Sequence, residues 1–354
     1  MNTTNFPNLF EPLPLNPGRV TLPNRVVMGP MTLNQATESG HMTDWIVDWY
    51  ERRAAGGTGT IIGAAVFVSQ NGRGWANAVG IADDSYTDGW RRCVDAAHRH
   101  GALFGTQLFH GGAASRVSLL GQQPVSASEW TREGFDPARA LAEAEIEQII
   151  DDFAAGARRS IEAGCDFVEL HGAHGYLLHQ FWRGDVNCRT DKWGDPTAFP
   201  AAVTEAVRAV IGPNIPLVYR FSIHADDPDA ANNPVTPDSL AHFLQTLEAA
   251  GVDAWDISCW KESRRGYFGT DIWLPDWVRR FSGKPRIVAG NLLTPAESED
   301  YLAGGHAEAV ALARALITDA AWTDKAREGR AESIYPFTDT ALTALREGID
   351  PGKT

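Results

Sequence analysis

The sequence predicts a single (β/α)8 TIM barrel, and three observations predict it. Short apolar or β-branched runs that end in polar residues recur eight times, each followed by a stretch of helical periodicity. Parallel strands need crossover helices, and eight of them close a sheet with no exposed edge. No G-x-G-x-x-G follows the first strand, so the alternative, a doubly wound open sheet, lacks its dinucleotide fingerprint.

The expected strands are Arg25–Met28, Thr60–Val66, Leu103–Phe109, Phe167–Leu170, Leu217–Ser222, Ala254–Ser258, Arg286–Ala289 and Ala309–Ala311. The expected helices are Thr43–Ala55, Ser85–His100, Glu143–Ala163, Thr197–Val210, Pro237–Ala250, Leu274–Phe281, Pro295–Ala303 and one near Asp319–Glu328. Thr43, Thr236 and Thr294 stand as N-caps, and proline follows the last two at the first helical position. Gly56-Gly57, Gly101, Gly164, Gly212, Gly251 and Gly304-Gly305 stand as left-handed C-caps. With no linker-like stretch and no solenoid repeat, residues 1–354 are expected to form one domain, with 1–24 as an N-terminal lid and 331–354 as a C-terminal tail.

An apolar content of 44% over 354 residues allows a substantial core. The net charge of -14, with no Lys/Arg-rich run, repels nucleic acid and anionic lipid. The N-terminus shows no basic segment leading into an apolar one, and nothing approaches the ~18 apolar residues of a membrane span, so a cytoplasmic protein is expected. Cys93, Cys165, Cys188 and Cys259 include no C-x-x-C pair, which argues for reduced packing thiols rather than a zinc ribbon, an iron–sulfur cluster or a disulfide framework. Trp75, Trp130, Trp182, Trp193 and Trp260 fall in expected loops; most should pack, and aromatic loops around a pocket also suit a flat ligand.

In such a barrel the residues after each strand converge on one face. Pro30, Met31 and Thr32 follow the first strand, Ala65 lies in the second, and Gln107 and His110 lie in and after the third. His171, His174 and Tyr176 follow the fourth, in LHGAHGY. Arg220 sits inside PLVYRFS, where a guanidinium must meet a negative or strongly accepting partner to offset its desolvation. Gly290 and Asn291 follow the seventh strand, and Ala313 and Arg314 the eighth; backbone donors and an arginine there describe a phosphate site and imply a phosphorylated ligand. The His171-x-x-His174 pair is also open to a metal-binding or a purely packing role, although no third ligand is as well placed.

Several motifs in order resemble the old yellow enzyme family of flavin-dependent oxidoreductases over nearly the whole length. They are LFEPLPLNPGRVTLPNRVVMGPMT, TQLFHGG, DFVELHGAHGYLLHQF followed by NCRTDKWGD, VYRFS, VAGNLLTP and VALARALITD. The resemblance implies a barrel that holds FMN non-covalently and reduces electron-poor alkenes, such as α,β-unsaturated carbonyls, at the expense of NADPH or NADH. By position, Thr32 matches the residue beside the flavin's reactive edge, Ala65 one against the ring, Gln107 a partner of the pyrimidine side, and Arg220 a cation near N1 and O2. Gly290, Ala313 and Arg314 match the phosphate binders; Pro30, Met31 and Asn291 complete the expected cofactor-binding set. His171 and His174 match the pair that donates to a substrate carbonyl oxygen so that hydride from flavin N5 can add at the β-carbon, and Tyr176 matches the proton donor to the α-carbon.

Two departures stand out. Ala313 replaces the usual glycine, which would cost ~1 kcal/mol or shift the loop, and weaken FMN binding, if the position needs positive φ or very close approach to the phosphate, and PTAFP replaces the usual continuation after NCRTDKWGD, at the start of the fourth helix. The tail lacks the cysteine cluster and second nucleotide-binding region of longer dienoyl-CoA reductases, so no internal electron-transfer chain is expected. Trp260, Tyr267 and Phe268 should line the substrate pocket. A small-molecule partner is expected, with no nucleic acid or membrane; self-association, the natural oxidant and the choice of nicotinamide stay open. The competing classes are a metal-assisted barrel hydrolase or aldolase using His171 and His174, and a binding protein without catalysis.

Overall fold

The computed structural model describes residues 5–15, 19–223, 235–259 and 267–353. Eight parallel strands close into a barrel in chain order: β1 (Val26–Met28), β2 (Thr60–Phe67), β3 (Leu103–Phe109), β4 (Phe167–Gly172), β5 (Leu217–Phe221), β6 (Ala254–Ser258), β7 (Arg286–Ala289) and β8 (Ala309–Leu312). Expected β3, β6 and β7 coincide with these bounds, and the others shift by a residue or two at an end. The strands are buried along almost their whole length, as expected of a parallel sheet covered on both faces.

Inward-facing Val27, Ile62, Phe167, Val218, Ala254, Ile287 and Ala309 form one apolar cluster with Leu13, Leu15 and Leu22. Those leucines belong to an antiparallel hairpin, Leu13–Leu15 with Val20–Leu22, so the segment ahead of β1 closes the barrel at the end where strands begin. The opposite end is left for chemistry. A larger cluster joins the outer faces of the strands to the helices.

Local chemistry explains most helix ends. Thr236 Oγ1 accepts from Ser239 N at 3.2 Å and Thr294 Oγ1 from Glu297 N at 3.3 Å, as N-caps do. Thr43 does not cap: its hydroxyl donates instead to Gln35 O at 2.8 Å, tying the loop after β1 to the helix Asp44–Ala55. In the glycine pairs it is the second member that turns left-handed, with Gly57 at φ +87° and Gly305 at φ +71°. The last helix, expected near Asp319–Glu328, spans only Trp322–Arg327, and a short helix not expected from the sequence, Arg314–Thr318, precedes it; between them the Asp319 carboxylate takes the turn, accepting from Ala321 N at 3.0 Å, Tyr335 N at 3.0 Å and Lys325 Nζ at 2.6 Å. Trp182 lies in a helix, Leu177–Trp182, stacked on Phe243 at 4.1 Å, and is therefore packing rather than loop. The C-terminal segment is anchored by Asp350, which pairs with Arg53 through two 2.9 Å bonds where neither side chain is exposed. Arg52 Nε also lies 3.0 Å from Asp350, so removing Asp350, the shared anion, would strand the buried Arg53 charge, at ~3–5 kcal/mol.

Candidate active site

Strand register builds a polar layer across the barrel. The ladder between β2 and β3 shifts at Ile62/Ala65, and the Tyr50 hydroxyl accepts the displaced Ala64 N–H at 2.8 Å, so Ala65 comes to stand opposite Gln107. Gln107 stands opposite Glu169, His171 opposite Arg220, and Arg220 opposite Asp256. The side chains link in that order. Gln107 Nε2 donates to Glu169 Oε1 at 2.7 Å, and Arg220 Nη1 pairs with the Asp256 carboxylate. Arg220 Nη2 reaches Ser258 Oγ at 3.4 Å, and Ser258 Oγ meets His174 Nε2 at 2.8 Å. Arg220 thus has the anion that an apolar strand requires of it. Its Nε, Glu169 Oε2 and Asp256 Oδ1 are buried without a hydrogen-bond partner among the described residues.

Above this layer the fourth strand delivers its loop. Gly172 must be glycine, because a Cβ there would fall 2.3 Å from the Tyr219 ring. His174 then turns left-handed at φ +59°, with its N–H donated to Ser222 Oγ at 3.0 Å, and Gly175 follows at φ +78°. The turn folds three rings together: His171 lies 5.1 Å from His174 and 4.9 Å from Tyr176, both edge-to-face. Phe109 packs against Tyr176 at 4.6 Å, and Trp75 lies 6.3 Å from it.

Burial, then the neighbouring His174 and Arg220, hold His171 well below the usual imidazole range. Burial, then Arg220, push His174 down to about 3, although part of the residue stays open to the site mouth. Both are neutral near pH 7. Ala173 N donates to His171 Nδ1 at 3.4 Å, which leaves Nε2 to carry the proton.

The remaining expected residues divide into groups. Thr32 and Ala65 line one small cavity with Trp75 and Asn77. Pro30 and Met31 are half-buried at the end of β1. Gly290 and Asn291 follow β7, Ala313 and Arg314 follow the adjacent β8, and Arg314 Nη1 bonds Asn291 Oδ1 across the gap. Ala313 has φ -120°, so alanine carries no left-handed strain there. Tyr267 and Phe268 form a separate aromatic group with Trp277, which lies 5.4 Å from Phe268. Trp260 lies outside the described residues. His110 is 1% exposed, with Nδ1 bonded to Gly112 N in its own loop and Nε2 to Asn71 Oδ1 in the loop after β2. Sequence reasoning did not single out Glu169, Asp256, Ser222 or Ser258; only Asp256 had a signal, in the anion that Arg220 demanded. Among the described residues no group of three or more His, Cys, Asp or Glu is arranged to hold a metal ion.

A closed barrel whose strand-end face carries this cation, amide and histidine set is the scaffold of a flavin-dependent oxidoreductase. The chain belongs to the NADH:flavin oxidoreductase / NADH oxidase family, matching it over residues 8–333. It is 34% identical to the NADH oxidase of Thermoanaerobacter brockii over 94% of this chain, although it spans only 52% of that protein. Against the NADPH dehydrogenase of Geobacillus sp. strain WCH70 it is 32% identical, over 89% of this chain and 92% of the relative. The old yellow enzyme homologue from Zymomonas mobilis superposes with a TM-score of 0.80 at 26% identity, covering 95% of this chain and 99% of the other. Family and fold therefore agree, and the chain is of the old yellow enzyme type.

Proposed function

We propose that this protein reduces the carbon–carbon double bond of electron-poor alkenes, α,β-unsaturated carbonyls above all, with electrons from NAD(P)H. The observation that carries the reading is the meeting of two neutral histidines and a phenol at the end of β4.

FMN, when bound, supplies the hydride chemistry. The residues present fit it: Arg220 Nε is a buried donor with no partner among the described residues, suited to an acceptor-rich pyrimidine edge, and Gln107 stands in the same layer. Pro30, Met31, Thr32 and Ala65 would flank the ring, while Gly290, Asn291, Ala313 and Arg314 would hold the phosphate through backbone N–H groups and one fixed charge.

His171 donates from Nε2 to the substrate carbonyl oxygen. For His174, Arg220 occupies one acceptor position of Ser258 Oγ, so that hydroxyl can donate to His174 Nε2 and leave Nδ1–H for the same oxygen. Two neutral donors aimed at one oxygen stabilise the negative charge that develops on it. Tyr176 holds the proton destined for the α-carbon, and Tyr267 and Phe268 form the outer wall for a flat or cyclic substrate. The four free cysteines suit a reducing cytoplasmic compartment.

Anaerobic stopped-flow on the purified yellow protein tests this. NADH or NADPH should bleach the flavin band, and 2-cyclohexenone should restore it with formation of cyclohexanone. If oxygen restores the band and no enone in a panel does, alkene reduction is not its reaction.

A further inference from the structure

Beneath Gln107 and Arg220 lie two carboxyls that the reaction does not use. Glu169 and Asp256 are both 0% exposed, on strands separated only by β5. They lie within hydrogen-bonding reach of each other, yet the oxygens left without partners are one from each, Glu169 Oε2 and Asp256 Oδ1. Two ionised carboxylates cannot satisfy one another, since neither has a hydrogen to give. A single proton on Glu169 Oε2, donated to Asp256 Oδ1, satisfies both orphaned atoms at once. The other oxygens already have donors: Gln107 Nε2 on Glu169 Oε1, and Arg220 Nη1 on Asp256 Oδ2.

We propose that Glu169 is a positioning residue that carries a buried proton shared with Asp256, and that this proton leaves Arg220 paired with one anion rather than facing two.

The charges facing Glu169 make the case. From β5 comes the Arg220 guanidinium and from β6 the Asp256 carboxylate, while β3 offers only the neutral amide of Gln107. His171, on β4 itself, and His174 beyond it are held neutral. With both carboxyls ionised the layer would carry a net charge of about -1 in a desolvated place, a state of high energy. With one proton it is neutral, and Arg220 can answer negative charge arriving on the ring above. Burial first, then Asp256, raises Glu169 well above the usual carboxylate range; burial raises Asp256 as well, but its ion pair with Arg220 makes it the one that stays ionised. The shared proton also fixes Gln107: Glu169 accepts from Nε2, so the Gln107 amide oxygen is turned away from the carboxyl pair.

The inference rests on FMN lying against Gln107 and Arg220, and its test separates the two ideas. Infrared spectra of the flavin-free protein should show a protonated-carboxyl C=O band that slow deuterium exchange shifts and that Glu169→Gln abolishes. In the flavin-loaded protein Glu169→Gln, which copies the shape and neutrality of the protonated acid, should leave the flavin midpoint potential and its pH dependence as in wild type. A wild-type spectrum without that band overturns the proposal, and this reading needs no variant to fold. A clear positive shift in potential for Glu169→Gln overturns it too, because that shift means a negative charge was removed. If the band behaves as expected but Arg220→Met leaves flavin content and potential unchanged, the placement of FMN fails and the shared proton stands.

Discussion

Strands β3 and β4 run out into their loops through like sequences, Phe109-His110-Gly111-Gly112 and Leu170-His171-Gly172-Ala173. Their histidines even make the same first bond: the backbone N–H two residues on donates to Nδ1, from Gly112 at 3.1 Å and from Ala173 at 3.4 Å. Burial lowers both imidazoles, His110 to about 3. The difference lies at Nε2. In His110 it meets Asn71 Oδ1 at 3.3 Å, and Gly72 packs so closely that a Cβ there would fall 2.4 Å from the ring. In His171 no such partner stands among the described residues, and the ring faces His174 and Tyr176. A strand-end histidine becomes part of the scaffold when the protein uses both ring nitrogens, and available for chemistry when it uses one. The first loop also supports the second, since His110 O accepts Leu177 N at 3.0 Å.

The largest effect that could break this contrast is on Tyr176. Tyr176→Phe should lower enone reduction by ~10²–10⁴, the usual worth of a general acid, while reduction of the flavin by the nicotinamide is spared. Equal losses in both half-reactions, or no loss with cyclohexenone, would remove Tyr176 from the proton-donor role.

Next comes the pair of histidine deletions. A para-substituted phenolate, whose oxygen mimics the developing enolate, should bind this pair and give a long-wavelength band with the oxidised flavin; His171→Ala should abolish that band and reduce enone turnover by ~10²–10³, because one of two donors to the oxyanion is gone. His110→Ala should keep that band in the folded protein and instead lower stability by ~1–3 kcal/mol, from two buried hydrogen bonds and the space left behind. Phenol titrations and thermal melts on both variants would collapse the distinction if the two profiles matched.

A smaller effect follows from protonation. His110 binds its proton near pH 3 in the folded protein but at an ordinary imidazole pKa of ~6.5 when unfolded, so the unfolded chain holds more protons between those values. Its contribution therefore leaves stability unchanged above pH 6.5 and reduces it as pH falls, by up to ~1.4 kcal/mol per pH unit. His110→Asn should flatten denaturant-derived stability against pH between 6 and 4 by about that slope; an unaltered slope would mean that His110 is not held neutral.

The smallest expected change concerns His174. Of the five non-glycine residues at positive φ among the described residues, three are asparagines, Asn34, Asn77 and Asn291, the residue type that tolerates this conformation best. His174→Asn should raise stability by roughly 1 kcal/mol while retaining an amide donor for the phenol oxygen. A lower melting temperature would show that the turn is shaped by the imidazole and not strained by it.

The sequence by itself determined what short-range physics controls. Apolar runs and helical periodicity set the eight βα units, and Thr236 and Thr294 marked helix starts, because these signals depend on residues within a few positions of one another. It also announced that Arg220 needs an anion, since desolvation is a property of the buried strand alone. Only closure of the barrel decided which anion: Asp256 lies 36 residues away and meets Arg220 because β5 and β6 pair in that register. The division between His110 and His171 was settled in the same way, by Asn71 and Gly72 arriving from the loop after β2. Ala313, a doubtful replacement in sequence, carries no left-handed strain because its φ is -120°, a dihedral that no residue identity prescribes.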